Sequence, residues 1–479
     1  MKTIFTPIKR ATILGCVVLL ASCGGGGDSP QPTISSPPPS ISIAFDGGAS
    51  GSVAQGQSIA LSVTVANDPS GQGVSWVLDG VGALSHQTGT TVEYDAPVTL
   101  SSTVTATVTA RVVSDPRKSA AKTIAVTPLP VAFTETGSMS VARFGQAATL
   151  LLDGRVLVTG GLDQSGPVLT SAELYDPLTG LFAPIGNMTL ARHEHTATLL
   201  ANATLPNYGK VLIAGGDSGG TEAELYDPVA GTFAATGSMA VAHVHGPTAT
   251  LLKTGKVLLA GGDTPAGELY DPATGTFSTT GNMTAVRGGH TATLLIDGRV
   301  LVTGGGVGGS RSATAELYDP VAGTFTVTGS MAALRGAGHT ATRLYDGTVL
   351  VVGTGQGVYA PPTSPEIYDP VTGLFTSAGD QHYPVGGNTA SLRADGTVLI
   401  AGGYYYSLCG GEHLSTTSSA MAVLYSPGAH GFKASGGLIT ARAGHTATVL
   451  ADGSVLVVGG TTGGSCQGTE QLSSAEVFH

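Results

Sequence analysis

The chain has 479 residues, of which 72 are Gly and 11% are charged, and its formal net charge is −11. A chain of this length is too long to fold around one ordinary hydrophobic core. Its apolar residues fall in regular short runs, which excludes a disordered protein. The acidic balance, without a basic stripe, argues against nucleic acid as a partner. The many Gly, Thr, Val and Ala residues favour an all-β protein with tight turns.

Residues 1–22 have the organisation of a lipoprotein signal peptide. Three basic residues precede an apolar stretch at 11–21, which is too short to span a bilayer. Leu20-Ala21-Ser22-Cys23 resembles a bacterial lipobox, which implies cleavage before Cys23 and lipid attachment to its sulfur. Residues 23–40 are rich in Gly and Pro and are predicted to form a flexible tether. We expect a bacterial cell-envelope protein, at the outer membrane or the cell surface, that contacts the membrane only through this lipid.

Residues 41–129 are predicted to form a β-sandwich that acts as a spacer, because short alternating segments recur at regular spacing. Val74-Ser-Trp76 and Tyr94-Asp-Ala-Pro97 resemble bacterial immunoglobulin-like domains, although this stretch has no Cys pair to bridge its sheets. Trp76 is predicted to be a core residue of the sandwich, with a ligand anchor as the alternative. The predicted strands are 41–45, 59–65, 74–78, 91–94, 104–112 and 122–126.

Residues 130–479 repeat one pattern about every 50 residues, and such a period indicates a repeat architecture. A first strand such as 290–295 is followed by an Asp-Gly turn and then by a Val-Leu-Val strand that ends in Gly-Gly. A strand with Tyr comes next, and an Asp-Pro-x-x-Gly turn leads to a strand with Phe. The Phe residues are Phe133, Phe182, Phe233, Phe277, Phe325, Phe375 and Phe432.

This pattern resembles the kelch repeat of β-propellers, with Phe in place of the kelch Trp. The resemblance implies four-stranded blades around a channel. The strand at Phe133 precedes the first complete unit, and the unit that ends at Phe478 lacks a fourth strand. Pairing these two strands gives seven blades and leaves no open edge in the ring. We therefore predict an all-β protein, a seven-bladed β-propeller over 130–479 with an N-terminal immunoglobulin-like β-sandwich.

Cys409 and Cys466 are the two thiols that remain after processing and lipidation. Each lies six residues after the second Gly of a repeated Gly-Gly pair, in consecutive units. Equivalent loops of neighbouring blades should lie side by side, and the expected compartment is oxidising. We predict a disulfide between them.

Five arginines lie just upstream of first strands, in the connection from the preceding fourth strand. This connection shares a face of the propeller with the loops between second and third strands. Arg in such a position can clamp a carboxylate, and equivalent arginines in some kelch propellers bind acidic ligands. Salt bridges between blades are the alternative. The five are Arg143, Arg192, Arg287, Arg335 and Arg442.

The strongest departure from the repeat is an insertion at 404–413 in the sixth unit. Three tyrosines on a loop fixed by a disulfide would form an amphipathic platform for a sugar ring or a protein. Other departures supply further polar and aromatic residues, with His382 and Tyr383 among them, and packing within the blade is the alternative role. The candidate ligand-binding residues are Tyr404, Tyr405, Tyr406, His413, Tyr359 and Arg311.

No catalytic residue, metal site or cofactor is predicted. Gly216-Asp-Ser-Gly-Gly220 imitates a serine protease signature, but its first Gly belongs to the repeated Gly-Gly pair and no base with an orienting partner is evident. Four histidines begin first strands, and their recurrence favours hydrogen bonds to their own blade over a metal ring. They are His195, His290, His339 and His445.

The expected function is non-enzymatic binding of a carbohydrate or a protein at the cell envelope. One alternative is a kelch-type sugar-active enzyme, either a galactose-oxidase-like copper oxidase or a sugar epimerase. The copper site of that oxidase family needs a Cys–Tyr crosslink, a second Tyr and two His, and this set does not align with the chain. A purely structural surface protein is the other alternative, since a fold does not determine a function.

Overall fold

The computed structural model describes ten ranges of the chain, and almost all of their regular structure is strand. One 3-10 helix, at Pro427–Ala429, is present in these ranges. No helix within them is long and apolar enough to cross a membrane. The described ranges are 40–48, 50–54, 58–97, 103–127, 133–217, 220–353, 364–379, 386–409, 413–463 and 468–479.

The N-terminal region consists of two four-stranded sheets that share one core. One sheet has the order β1-β3-β6-β5 and the other β2-β8-β7-β4, with β2 and β8 parallel. The eight strands are β1 (Ser42–Phe45), β2 (Ser50–Ala54), β3 (Ser58–Ala66), β4 (Val74–Asp79), β5 (Ala83–Ser85), β6 (Thr91–Asp95), β7 (Val104–Val112) and β8 (Ser119–Thr127).

Alternating residues of both sheets fill this core. Ala106, Val108 and Ala110 of β7 point inward with Val92 and Tyr94 of β6, as the two-residue period of a strand requires. Each of the six predicted strands is present.

Two further strands, β2 and β5, had no counterpart in the prediction. Trp76 is partly buried and packs against the shared core, and its ring Nε1–H donates a hydrogen bond to the carbonyl oxygen of Thr88 at 3.0 Å. This agrees with the predicted core role of Trp76.

Residues 133–479 form repeated four-stranded antiparallel sheets, which we number repeats 1 to 7 in chain order. In each of repeats 1 to 5 the spatial order of the strands follows the chain. The strands of repeats 1 and 2 are β10 (Ala147–Leu150), β11 (Val156–Thr159), β12 (Ala172–Asp176), β13 (Leu181–Pro184), β14 (Thr196–Leu199), β15 (Val211–Ala214), β16 (Glu224–Asp227) and β17 (Thr232–Ala235). Those of repeats 3 and 4 are β18 (Thr248–Leu251), β19 (Val257–Ala260), β20 (Gly267–Asp271), β21 (Thr276–Thr279), β22 (Thr291–Leu294), β23 (Val300–Thr303), β24 (Ala315–Asp319) and β25 (Thr324–Val327).

Repeats 6 and 7 depart from this simple order. A hairpin of β32 and β33 is inserted between the second and third strands of repeat 6, and a short β38–β39 pair occupies the same place in repeat 7. The fourth strand of repeat 7 is β9 (Phe133–Glu135). The strands of repeats 5 and 6 are β26 (Thr340–Arg343), β27 (Val349–Val352), β28 (Glu366–Asp369), β29 (Leu374–Ser377), β30 (Thr389–Leu392), β31 (Val398–Ala401), β32 (Tyr404–Cys409), β33 (His413–Ser418), β34 (Ala422–Ser426) and β35 (Gly431–Ala434). The remaining strands of repeat 7 are β36 (Thr446–Val449), β37 (Val455–Val458), β38 (Thr461–Thr462), β39 (Glu470–Gln471) and β40 (Ala475–Phe478).

The predicted pairing between the first and last strands of this region is present. Phe133 of β9 lies opposite Phe478 of β40, and their ring centroids are 4.9 Å apart. Tyr and Phe occupy the equivalent positions in the other repeats at nearly the same distance, for example Tyr270 and Phe277 at 5.0 Å. The first strands of successive repeats are neighbours, and that of repeat 7 contacts that of repeat 1. These features are consistent with a kelch-like β-propeller.

Antiparallel order within each repeat divides the loops between two faces. The loops between second and third strands lie at the same end as the connections from a fourth strand to the next first strand, and we call this end the loop face. The Asp-Gly turns and the Asp-Pro-x-x-Gly turns lie at the opposite end, which we call the turn face. Second strands such as Val300–Thr303 are buried along their whole length, so they connect the two faces through the interior.

Candidate ligand-binding face

Seven equivalent residues, one from each repeat, form a ring around the centre of the loop face. The residue two positions before each first strand has a left-handed backbone, and it is Gly in six repeats and Glu194 in repeat 2. Glu194 has a φ of 53°, and its backbone N–H donates to the carbonyl oxygen of Gly145 in repeat 1 at 2.8 Å. The glycines of the ring are Gly145, Gly246, Gly289, Gly338, Gly387 and Gly444. The equivalent backbone therefore carries an acidic side chain in one repeat only.

The five predicted ligand-binding arginines lie in the interior rather than on this face. Their side chains are 0–1% exposed, and each is paired with a Glu on the third strand of the repeat that it precedes. In repeat 4, for example, Arg287 Nη2 lies 3.0 Å from Glu316 Oε1, and Arg287 Nη1 donates to the carbonyl oxygen of Gly304 at 2.7 Å. The pairs are Arg143–Glu173, Arg192–Glu224, Arg287–Glu316, Arg335–Glu366 and Arg442–Glu476.

This placement corrects the expectation of an exposed clamp, because a ligand in solvent does not reach a guanidinium group at this depth. It also differs from the alternative of bridges between blades, since each pair joins a connection to its own sheet. Burial lowers the pKa of Arg143, and the charge of Glu173 opposes that effect. We leave these five arginines out of the proposed ligand site.

The recurrent histidines join neighbouring repeats. His290 Nε2 lies 2.8 Å from the hydroxyl oxygen of Thr248 in repeat 3, and its Nδ1 lies 2.9 Å from the carbonyl oxygen of Arg287. Burial lowers the pKa of His195, His290 and His445 to about 3 and that of His339 to about 4. These imidazoles are therefore neutral near pH 7. Within the described ranges, no group of three or more His, Cys, Asp or Glu is placed to hold a metal ion.

The tyrosine insertion forms part of the loop face. Tyr404, at the start of β32, donates its backbone N–H to the carbonyl oxygen of Gly386 at 2.9 Å, and its ring packs over Gly387, where a Cβ would lie 3.1 Å from it. Tyr404 and Tyr406 are on the same side of the strand and their rings meet edge to face, with centroids 5.6 Å apart. Tyr405 points the other way, and its hydroxyl lies 3.8 Å from Met421 Sδ.

Arg311 lies on the same face, in the loop between the second and third strands of repeat 4. Its aliphatic stem packs on the backbone of Gly336, where a Cβ would lie 3.0 Å from Arg311 Cγ. Burial, followed by the neighbouring Tyr406, raises the pKa of Tyr404 to about 12, and the charge of Arg311 acts in the opposite direction. Three of the predicted residues, Tyr404, Tyr406 and Arg311, thus lie on the loop face in two different repeats, and the charge of Arg311 acts on Tyr404.

Several predictions fall outside the described residues. Tyr359, His382, Tyr383, Cys466 and the lipidation site Cys23 lie in undescribed ranges. Cys409 and His413 face each other in the backbone register of the β32–β33 hairpin, but their side chains are not described. The lipid anchor and the disulfide therefore stay predictions.

A cavity of about 680 Å³ on the loop face was not predicted. Its charged lining residues are Glu194, His245 and Asp263, from repeats 2 and 3, whereas repeats 4 and 5 contribute uncharged residues such as Val307 and Ala337. Two signals in the sequence mark it. Glu194 replaces the glycine of the ring, and the connection into repeat 3 contains an additional residue that accommodates His245.

His245 is held between two aspartates. Its backbone N–H donates to Asp217 Oδ1 at 2.8 Å, and its ring Nδ1 lies 2.7 Å from Asp263 Oδ2. The hydrogen bond to Asp263, reinforced by the charge of Asp217, raises the pKa of His245. Asp217 also lies 3.3 Å from His193 Nε2. The cavity therefore has acidic and titratable groups on one side and an uncharged wall on the other.

Two segments of the chain, residues 143–189 and 287–332, match the family model described as Kelch motif. They cover the end of the connection into repeats 1 and 4 and all four strands of those two sheets. The chain contains Kelch motif repeats. No curated protein matches the chain. Kelch repeats that build four-stranded sheets indicate a β-propeller that serves as a scaffold for binding.

Proposed function

We propose that this protein is a lipid-anchored binding protein of the bacterial cell envelope. Its repeats form one seven-bladed propeller, which an immunoglobulin-like spacer and the tether at 23–40 hold away from the membrane. The loop face binds a carbohydrate or a protein. The repeated four-stranded sheets, the adjacency of first strands around the ring and the lipobox-like sequence support this proposal.

Tyr404, Tyr406 and Arg311 are the residues on which the ligand site rests. They belong to separate departures from the repeat on one face, where the rings of Tyr404 and Tyr406 meet and the charge of Arg311 acts on Tyr404. Tyrosine offers a large ring with a hydrogen-bonding hydroxyl, and Arg offers a planar set of donors, so both are typical of binding hot spots. Because the pKa of Tyr404 is about 12, its phenol stays protonated and can donate a hydrogen bond.

A glycan array and an affinity pull-down from cell-envelope extract test this site. We expect the unmodified protein to bind one class of ligand, and the double variant Tyr406→Ala/Arg311→Ala to bind at least about tenfold more weakly, as expected for a hot spot. Tyr345→Ala is the matched control, because Tyr345 is 65% exposed in an Asp-Gly turn on the turn face. Retained binding by the double variant, with an unchanged melting temperature, would contradict the proposed site.

The lipid anchor has its own test. Growth with labelled palmitate should label the protein, and Cys23→Ser should abolish the label and release the protein from the membrane fraction. Labelling that persists in the Cys23→Ser variant would contradict attachment at this residue.

A further inference from the structure

The cavity of about 680 Å³ has the size of a site for a small molecule. It lies where the connections into repeats 2 to 5 meet the loops of repeats 3 and 4. We infer that this cavity binds a compact ligand that carries an ammonium group, held by the carboxylates of Glu194 and Asp263. This inference rests on the proposed function, because it names a ligand class for the same face.

Charge is the first argument. Glu194 and Asp263 line the cavity as carboxylates, and none of the lining residues that the structure describes is Lys or Arg. The cationic group that competes for them is His245, whose ring Nδ1 is 2.7 Å from Asp263 Oδ2. A ligand ammonium would supply charge-assisted hydrogen bonds to the carboxylates of Glu194 and Asp263, which line the cavity beside His245.

The opposite wall explains why the ligand should have an apolar body. Val286, Val307 and Ala337 line that wall together with glycines of repeat 4. These residues offer alkyl surface and little that would bind charge. A compact hydrocarbon or sugar framework would cover them while its ammonium group faces repeats 2 and 3.

The backbone at the charged wall is unusual in a way that agrees with this assignment. Glu194 and His245 have φ values of 53° and 57°, in the left-handed region that L-residues other than Gly avoid. At the position of Glu194 the other six repeats have Gly with the same backbone sign. The protein therefore places two titratable side chains at the cavity in backbone conformations that carry a cost, and such positions cluster at ligand sites.

Calorimetric titration of the full chain with cyclohexylamine, at low ionic strength and pH 8, tests the inference directly. Cyclohexanol is the matched neutral probe, because it has the same ring without the charge. We expect the amine to bind at least about tenfold more tightly than the alcohol, as charge-assisted hydrogen bonds imply. Equal binding of the two probes, or no binding of the amine, would overturn the inference.

Variants separate the cavity from the general acidity of the protein. Glu194→Gln and Glu194→Gly should each weaken amine binding about tenfold or more. Glu222→Gln is the control, because Glu222 is an exposed acid on a neighbouring loop of repeat 2 that does not line the cavity. Equal loss in the control would indicate nonspecific attraction and would contradict the site. The melting temperature of each variant shows that it is folded.

Protonation of His245 supplies an independent readout. The groups that face His245 are Asp263, Asp217 and Glu194. They raise the pKa of His245, so between pH 8 and pH 6 the imidazole gains a positive charge that competes with the ligand. Amine binding should weaken over this range in the unmodified protein and weaken less in His245→Gln. An identical pH profile in the two proteins would contradict the role of His245.

Two further probes identify the source of the ammonium group. An oligomer of glucosamine represents an amino sugar, and a peptide with one free lysine represents a protein. Preferential binding of either supports the site and identifies the class. The double variant Tyr406→Ala/Arg311→Ala should keep its affinity for cyclohexylamine, so a failure of the cavity and a failure of the proposed tyrosine site are distinguishable.

Discussion

Repeat 4 buries Arg287 against Glu316, whereas repeat 6 has Val423 at the strand position of that glutamate. In the sequence, Val385 of repeat 6 stands at the position of the arginine. Repeat 3 has a third solution, with His243 Nε2 3.3 Å from Glu268 Oε1. In repeat 6 both positions change, from Arg with Glu to Val with Val, whereas repeat 3 keeps the Glu and pairs it with His. This covariation within one chain indicates that the arginine serves the packing of its own sheet.

A second contrast concerns the centre of the loop face. Repeat 4 has Gly289 where repeat 2 has Glu194, with the same backbone sign at both positions. The backbone N–H of each residue donates to the carbonyl oxygen of the ring glycine in the preceding repeat, at 2.8 Å for Glu194 and 3.0 Å for Gly289, so the change leaves this contact in place. A residue that differs from the repeat is structural where a buried partner differs with it. A residue that differs without such a partner is a candidate for function.

The largest expected effect concerns repeat 7, whose fourth strand comes from the start of the propeller region. Deletion of 131–139 removes Phe133 and exposes the edge of β40. We expect it to destabilise the propeller by more than the about 3–5 kcal/mol of a buried Phe→Ala change. Urea denaturation measures the loss, with the exposed Glu135→Ala on the same strand as control. An unchanged midpoint after the deletion would show that the ring does not depend on this closure.

Removal of the arginine from a buried Arg–Glu pair should cause the next largest loss of stability. Arg287→Ala leaves Glu316 as an unpaired buried carboxylate and should cost about 3–5 kcal/mol. The double variant Arg287→Val/Glu316→Val copies repeat 6 and should recover much of that loss. Denaturant midpoints of both proteins check this. If the double variant is no more stable than the single variant, the packing explanation of the covariation is wrong.

The histidines predict a specific acid sensitivity. The pKa of His290 in the folded chain, about 3, lies below the ordinary histidine value of 6.5, so the unfolded chain takes up the proton first. The stability from this group is complete above pH 6.5 and declines as the pH falls towards 3. At pH 5, the contribution of each such histidine to the free energy of unfolding should be smaller by on the order of 2 kcal/mol.

His290→Asn tests this sensitivity, because repeat 6 has Asn388 at the same position. The variant should lose less stability than the unmodified protein between pH 7 and pH 5, as urea denaturation at both values would measure. Parallel losses in the two proteins would contradict the lowered pKa.

The smallest expected effect is a gain in the stability of the protein. Glu194→Gly relieves a left-handed backbone that costs about 1–2 kcal/mol, less the greater chain entropy of Gly, so the net stabilisation should be about 1 kcal/mol. Glu194→Ala keeps the backbone cost and should give no such gain. The two melting temperatures decide between them, and a gain with Ala equal to that with Gly would attribute it to charge rather than to backbone strain.

Much of the strand arrangement followed from local sequence patterns. The Asp-Gly turns, the buried Val-Leu-Val strands and the partnership of Phe133 with Phe478 were predicted and are present. Strands β2 and β5 were missed because Gly and short length weaken the alternation in them. The burial of the arginines was missed because each partner Glu lies some thirty residues further along the chain, on a strand that had been described only by its Tyr.

The site was predicted less completely than the sheets. The tyrosine insertion stood out because it interrupts the repeat, but the effect of Arg311 on Tyr404 depends on how repeats 4 to 6 are arranged in space. The cavity draws its lining from four connections and two loops, so no contiguous motif marks it. Comparison of the repeats position by position would have singled out Glu194 among the glycines.

Hydrogen–deuterium exchange with and without the bound glycan or protein partner tests most directly whether function resides on the loop face. We predict new protection in 193–195, 306–312 and 404–409, and no change at the Asp-Gly turns such as 297–298. Protection confined to the Asp-Gly and Asp-Pro-x-x-Gly turns would contradict the assignment of the ligand to the loop face.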